Sequence, residues 1–179
     1  QNMLGHINGL PDQLLRAWKL GLMMPLPQMN VIHQVVICGM GGSAIGADLL
    51  AAYVADKVEI PVIVHRDYGL PAFARERHTL VVLSSHSGNT EETLSAFDEA
   101  CKRNCQIVGI TTGGKLSRML TNAGLPVWKF THRGQPRAAV GFSFGLLLAL
   151  FIKLGLISDP TTEVNDAILT LKNVAENLG

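Results

Sequence analysis

Five short runs rich in Val, Ile and Leu, none with clean polar alternation, constrain the fold of this chain more than anything else in it. They are Gln34 to Cys38, Pro61 to Val64, Thr79 to Leu83, Gln106 to Ile110 and Leu125 to Phe130. Runs of this kind are strands covered on both faces, which is the situation in a parallel sheet. The intervals hold helical patterns at Ala44 to Ala55, Thr90 to Arg103 and Lys115 to Thr121, while Arg66 to Arg77, with Pro71 inside it, reads as loop. A leading helix over 11–24 has Pro11 in its first turn, and two trailing helices cover 136–154 and 161–178. Strand, crossover and strand in repetition predict an α/β fold: a doubly wound, three-layer α/β/α sandwich on a five-stranded parallel sheet.

A chain of 179 residues buries roughly 70% of its extended surface, enough for one core. Hydrophobic residues make up 47% and charged residues 16%, which excludes a disordered chain. The net charge of +1 gives no electrostatic case for nucleic acid or an anionic membrane as a partner. Cys38, Cys101 and Cys105 are a sparse, odd set, as expected of reduced thiols in a cytoplasmic protein. No Cys/His spacing resembles a zinc site, and the start Gln1 to Gly5 has neither the basic nor the apolar part of a signal peptide. Residues 138–157 are apolar, small or Ser except for Lys153, and twenty such residues can span a bilayer. Gly141, Ser143 and Gly145 dilute the segment and Phe142 to Ile152 is too short alone. The reading adopted is a buried helix at a sheet face or subunit interface, with no membrane, and its apolarity calls for a partner surface.

In parallel sheets ligands bind outside the carboxyl ends of the strands. Three loops rich in glycine or hydroxyls fall there: Gly39 to Gly46, Ser84 to Thr90 and Thr111 to Gly114. The second opens Ser84-Ser-His-Ser-Gly-Asn-Thr-Glu-Glu92, between a strand and a helix. Free backbone N–H groups and the positive helix end suit a phosphate dianion, and hydroxyls add neutral donors. The bland alternative is a helix cap, Asn89 or Ser87 with Glu91 or Glu92. His86 in mid-loop is assigned a surface or packing role in preference to proton transfer. Gly39-Met-Gly-Gly-Ser-Ala44 matches G-x-G-x-x-A, and three uses stay open: a dinucleotide site, a tight turn, or close approach of a small anion to Gly41, Gly42 and Ser43. For a dinucleotide the ribose acid is misplaced, since Asp67 comes late. Gly109 to Leu116 misses a phosphate-binding Walker loop by one residue, Leu116 standing where magnesium needs a hydroxyl, and Lys115 reads as solvated. In Arg133-Gly-Gln-Pro-Arg137, Pro136 at the first helical position puts Arg137 in the first turn. A cation there opposes the dipole, so Arg137 is either functional or simply exposed.

Four segments in order carry a resemblance: Gly-Met-Gly-Gly-Ser-Ala-Ile-Gly-Ala-Asp-Leu-Leu (39–50), Ser-His-Ser-Gly-Asn-Thr-Glu-Glu-Thr-Leu (85–94), Thr-Thr-Gly-Gly-Lys-Leu (111–116) and Pro-Arg-Ala-Ala-Val-Gly-Phe (136–142). The chain resembles the bifunctional phosphoglucose/phosphomannose isomerases, which are built from two sugar isomerase (SIS) domains. The resemblance implies aldose–ketose isomerisation among glucose 6-phosphate, mannose 6-phosphate and fructose 6-phosphate, without metal or other cofactor. It implies that Gly42, Ser43, Ser85, Ser87 and Thr90 hold the phosphoryl group or adjacent sugar, and that Arg137 both binds the substrate and is catalytic, stabilising an enediolate. The family usually has an aromatic residue where His86 stands. Its catalytic base, ring-opening histidine and a further lysine belong to the second SIS domain. The expectation is a single SIS domain over 1–158 and, over 159–179, a helix resembling the link to that second domain. Asp48, Asp67, Glu91, Glu92 and Glu99 include no general base by spacing. The chain is therefore expected to bind a hexose 6-phosphate, to pair as a homodimer or with a second SIS domain, and to show little isomerase activity alone. The alternative is a non-catalytic phosphosugar sensor or scaffold.

Overall fold

Alternate residues of the three central strands enter two different cores, and this alternation sets the layers. In the computed structural model, which describes residues 3–132 and 134–177, the strands are β1 (Gln34–Cys38), β2 (Val62–His65), β3 (Thr79–Ser85), β4 (Gln106–Thr111) and β5 (Val127–Lys129). Arg133 and Leu178 lie outside the described residues. All four pairings are parallel and the spatial order is β2-β1-β3-β4-β5. The helices are α1 (Met3–Asn8), α2 (Leu10–Met23), α3 (Gly41–Val54), α4 (Glu91–Lys102), α5 (Gly114–Asn122), α6 (Val140–Lys153) and α7 (Thr161–Asn177). The expected α/β/α sandwich is present, and α1 is an addition to it. The strand order reverses between β1 and β3, so those two carboxyl ends flank the crevice where such sheets bind ligands.

Val35, Ile37, Leu80, Val82, Val108, Ile110 and Trp128 face a core shared with α2, α3 and α6. Val36, Cys38, Val81, Leu83 and Ile107 face the other, with Ala96, Phe97 and Ala100 of α4 and Leu116 and Leu120 of α5. Between β2 and β3 no helix forms, as expected, and Leu70 and Ala74 of that loop fill the second core instead.

The apolar helix α6 needs no partner to cover it. Its residues from Gly145 to Phe151 are all buried, between the sheet and the helices α2 and α3. Its glycines make this possible: a Cβ on Gly145 would sit 2.8 Å from Ala17 Cβ, and one on Gly141 2.8 Å from Gln13 Cβ. The residues that diluted the segment are thus those that let α6 approach α2. This corrects the expectation of a partner surface drawn from its apolarity. Among the described residues no helix is long and apolar enough to cross a membrane. Helix α7 adds Val164 and Ile168 to the same core.

Candidate functional site

Both helices that start at the switch point start without a side-chain cap. Helix α3 follows Met40 and α4 follows Thr90, and neither N-terminus receives a side-chain hydrogen bond. Apart from Ser43 N–H, which bonds Met40 O at 3.1 Å, their first-turn N–H groups remain as donors at the carboxyl edge of β1 and β3. The capping alternative for residues 87–92 is overturned: Asn89 does cap a helix, but the wrong one. Its Oδ1 accepts the backbone N–H of Lys115 at 3.0 Å and so caps α5, while Lys115 itself is exposed as expected.

The elements run further than the hydropathy suggested. Helix α3 begins at Gly41, so Gly42 and Ser43 lie in its first turn and not in a preceding loop. Strand β3 continues to Ser85, which pairs with Thr111 of β4. Ser85 is buried; its Oγ lies 2.9 Å from Thr90 Oγ1 and accepts the N–H of Gly88 at 3.1 Å. Ser43 Oγ accepts the N–H of His86 at 3.2 Å and ties the β1 loop to the β3 loop. Ser87 is exposed on the rim and accepts the N–H of Asn89 at 3.2 Å. Gly88 has φ +66°, and a Cβ there would collide with the carbonyl of Gly113. The third loop thus braces the second from beneath, with Leu116 N–H donating to Gly88 O at 2.8 Å.

Arg137 stands elsewhere than predicted. Residues Pro136–Ala138 form a separate 3₁₀ turn, and Ala139 (φ −109°, ψ 23°) breaks it from α6. The argument from a cation opposing a helix dipole therefore loses its premise. Arg137 is exposed, and its backbone lies directly on the first turn of α3: a Cβ on Gly42 would be 2.9 Å from Arg137 Cα and 2.5 Å from Pro136 O. Only glycine permits that approach. The structure so gathers Gly42, Ser43, Ser85, Ser87, Thr90 and the Arg137 backbone at one sheet edge.

One partnership was missed. His86 Nε2 lies 3.0 Å from His132 Nδ1, and the His86 ring stands edge-on to Phe130. Burial holds the His86 imidazole below its ordinary value. Forty-six residues separate the two histidines, so no local pattern could have paired them. Two carboxylates near the edge are engaged, Asp48 with Arg66 and Glu91 with the Tyr68 hydroxyl, while Glu99, near the far end of α4, pairs with Arg103, whose hydrogen bond holds that carboxyl below its ordinary value. Among the described residues no group of three or more His, Cys, Asp or Glu could hold a metal ion.

Residues 28–123, more than half of the chain, match the SIS domain model. The bifunctional phosphoglucose/phosphomannose isomerase of Caldicellulosiruptor bescii is 45% identical over 175 residues, 97% of this chain and 51% of the relative. Its namesake in Aquifex aeolicus is 38% identical over 145 residues, 80% of this chain and 43% of the relative. The chain spans about half the length of these relatives. Among solved structures, the tagatose-6-phosphate ketose/aldose isomerase of Escherichia coli superposes with a TM-score of 0.63 at 18% identity, covering 96% of this chain and 50% of that one, a likeness of fold. With its five-stranded parallel sheet and its loops at the β1/β3 switch, the chain belongs to the SIS domain family.

Proposed function

We propose that this chain is the phosphosugar-binding half of an aldose–ketose isomerase acting on glucose 6-phosphate, mannose 6-phosphate and fructose 6-phosphate. The observation that carries the reading is the pair of uncapped helix starts at the switch point, with Ser43, Ser85, Ser87 and Thr90 set between them. Such an edge offers a phosphate dianion backbone N–H donors, two helix dipoles and neutral hydroxyls. Ser87, exposed on the rim, donates to a phosphoryl oxygen, while buried Ser85 and half-buried Thr90 hold the loop that presents it. Arg137, on the 3₁₀ turn beside Gly42, stabilises the charge of an enediolate.

Moving a proton between C1 and C2 requires a general base. The resemblance assigns that base to a second SIS domain, and at this edge Asp48 and Glu91 are engaged by Arg66 and the Tyr68 hydroxyl. The relatives are about twice as long, which supports assigning it to a second SIS domain, in the same polypeptide or a symmetry mate. The same reading places the protein in the cytoplasm, in keeping with its three free cysteines.

Calorimetric titration of fructose 6-phosphate into the chain in phosphate-free buffer tests the reading. Saturable binding that Ser87→Ala weakens at least tenfold is the expected result. Binding that Ser87→Ala leaves intact removes Ser87 from the site, and no binding at all overturns the reading for this chain.

A further inference from the structure

The chain has a second concave place, which the phosphosugar reading does not use. An open cavity of about 440 Å³ is walled by Asp12, Gln13 and Arg16 of α2, by Thr131 and His132 after β5, and by Phe142 of α6. That volume admits a small ligand. None of Gly42, Ser43, Ser85, Ser87 and Thr90 lines it, so it is distinct from the phosphate cradle. The two are neighbours through His132, whose Nδ1 lies 3.0 Å from Nε2 of His86 in the β3 loop.

The charges on this wall select the ligand. Arg16 is exposed and makes no hydrogen bond or ion pair among the described residues. What holds it is the buried Phe142 ring, whose centroid is 5.6 Å from the guanidinium carbon. A guanidinium placed over a ring keeps its N–H donors in its own plane, free to bind elsewhere. The group that matches such a fork with two parallel hydrogen bonds is a planar carboxylate. Asp12 is already paired, its Oδ1 lying 3.6 Å from Lys172 Nζ. Arg16 is thus the uncommitted charge among the described residues of this wall. It balances one carboxylate, whereas a phosphate dianion would keep half its charge unmatched. The other polar groups call for hydroxyls. Thr131 is exposed, and its hydroxyl has no partner among the described residues. Gln13 donates from Nε2 to Ala138 O at 2.9 Å, while its Oε1 is buried without a donor. A missing donor beside a buried acceptor is a deficit that a ligand hydroxyl relieves.

We infer that this cavity is a second ligand site, for a small hydroxylated monocarboxylate of the sugar-acid class. The Arg16 fork takes the carboxylate, and Thr131 and Gln13 take the hydroxyls. This site does not depend on the phosphosugar reading, and the two can fail separately.

The probe is sodium gluconate, titrated into the full chain in phosphate-free buffer at constant ionic strength and followed by the NMR signals of the histidine imidazoles. Sorbitol is the control, since it keeps the hydroxyls and lacks the carboxylate. Expected is saturation with a Kd on the order of 1 mM, as befits a ligand of few atoms, with His132 among the signals that move and no saturable response to sorbitol. Arg16→Gln should weaken gluconate about 10–100-fold, and the fold should survive because Arg16 is exposed. Arg16→Lys keeps the charge without the fork and should lose about tenfold. Gluconate should saturate equally well when fructose 6-phosphate is present in excess. Absence of saturation, an equal response to sorbitol, or wild-type affinity in Arg16→Gln overturns the site. Wild-type affinity in Arg16→Lys overturns the carboxylate fork. Displacement of gluconate by fructose 6-phosphate puts both in one place and overturns a second site. If gluconate binds and fructose 6-phosphate does not, the phosphosugar reading falls and this site stands.

Discussion

Replacing Gly42 by Ala puts a methyl group against the backbone that carries Arg137. The new Cβ would meet Pro136 O at 2.5 Å and both Arg137 Cα and the Pro136 carbonyl carbon at 2.9 Å. To restore ordinary contact the 3₁₀ turn must retreat by about 0.9 Å, since close-packed backbone has no flexible end to swing aside. Overpacking of this kind costs about 1–3 kcal/mol, or roughly 4–8 °C in Tm for a domain of this size at the middle of that range. The larger effect is on the ligand, because a displacement near 1 Å moves the guanidinium out of reach. A charge-assisted hydrogen bond is worth about 1.5–3 kcal/mol, so affinity for fructose 6-phosphate should fall by roughly 10–100-fold. The decisive form of the assay is a double-mutant cycle with Arg137→Ala, followed by calorimetry and denaturant unfolding. If Gly42 acts through Arg137, the double variant binds no more weakly than Arg137→Ala alone. Additive losses in the cycle, or a Gly42→Ala protein with wild-type stability and affinity, refute the reasoning.

Ser85→Ala and Ser87→Ala should separate stability from binding. The first leaves Thr90 Oγ1 without its partner and Gly88 N–H with only the Ser85 carbonyl, and costs about 1–3 kcal/mol in urea unfolding, whereas the second changes stability by less than about 0.5 kcal/mol and loses affinity. Gln106→Leu should cost about 2–4 kcal/mol by the same measurement. Its amide accepts the N–H of Asn30 and donates to the carbonyls of Asn30 and Arg77, and three backbone groups lose their partner at once. Stability should also fall as pH drops below about 6.5. His86 in the folded chain resists the proton that its unfolded form accepts there, so the unfolded state binds more protons and stability rises with pH across that window. His86→Phe should flatten that part of a pH series of melting temperatures; an unchanged slope shows that another group is responsible.

The layers and the parallel sheet were legible because burial on both faces writes itself into a strand as an unbroken apolar run. Element ends were less so. Hydropathy ended β3 at Leu83, because Ser84 and Ser85 look like loop, yet Ser85 stays extended by pairing with Thr111 on the next strand. Helix α3 seemed to begin at Ala44 because two glycines and a serine are poor helix formers; with Met40 extended before them, they form its first turn. The apolarity of α6 was visible, but what covers it was not, since that depends on Gly141 and Gly145 meeting α2. Arg137 was singled out for a reason the 3₁₀ turn removes, and its place beside Gly42 comes from tertiary packing. Asn89 and Lys115, like His86 and His132, meet only because β3, β4 and β5 lie side by side.

The hydrogen bond from Lys115 N–H to Asn89 Oδ1 joins residues 26 positions apart. It makes the second half of the sheet a tenant of the first. A gene fusion that inherits α5 without residues 86–90 would leave the Lys115 N–H at the start of that helix without its acceptor. The two βα units are thus coupled by a cap worth about 0.5–2 kcal/mol, and amide exchange at Lys115 would report on a loop that follows a different strand.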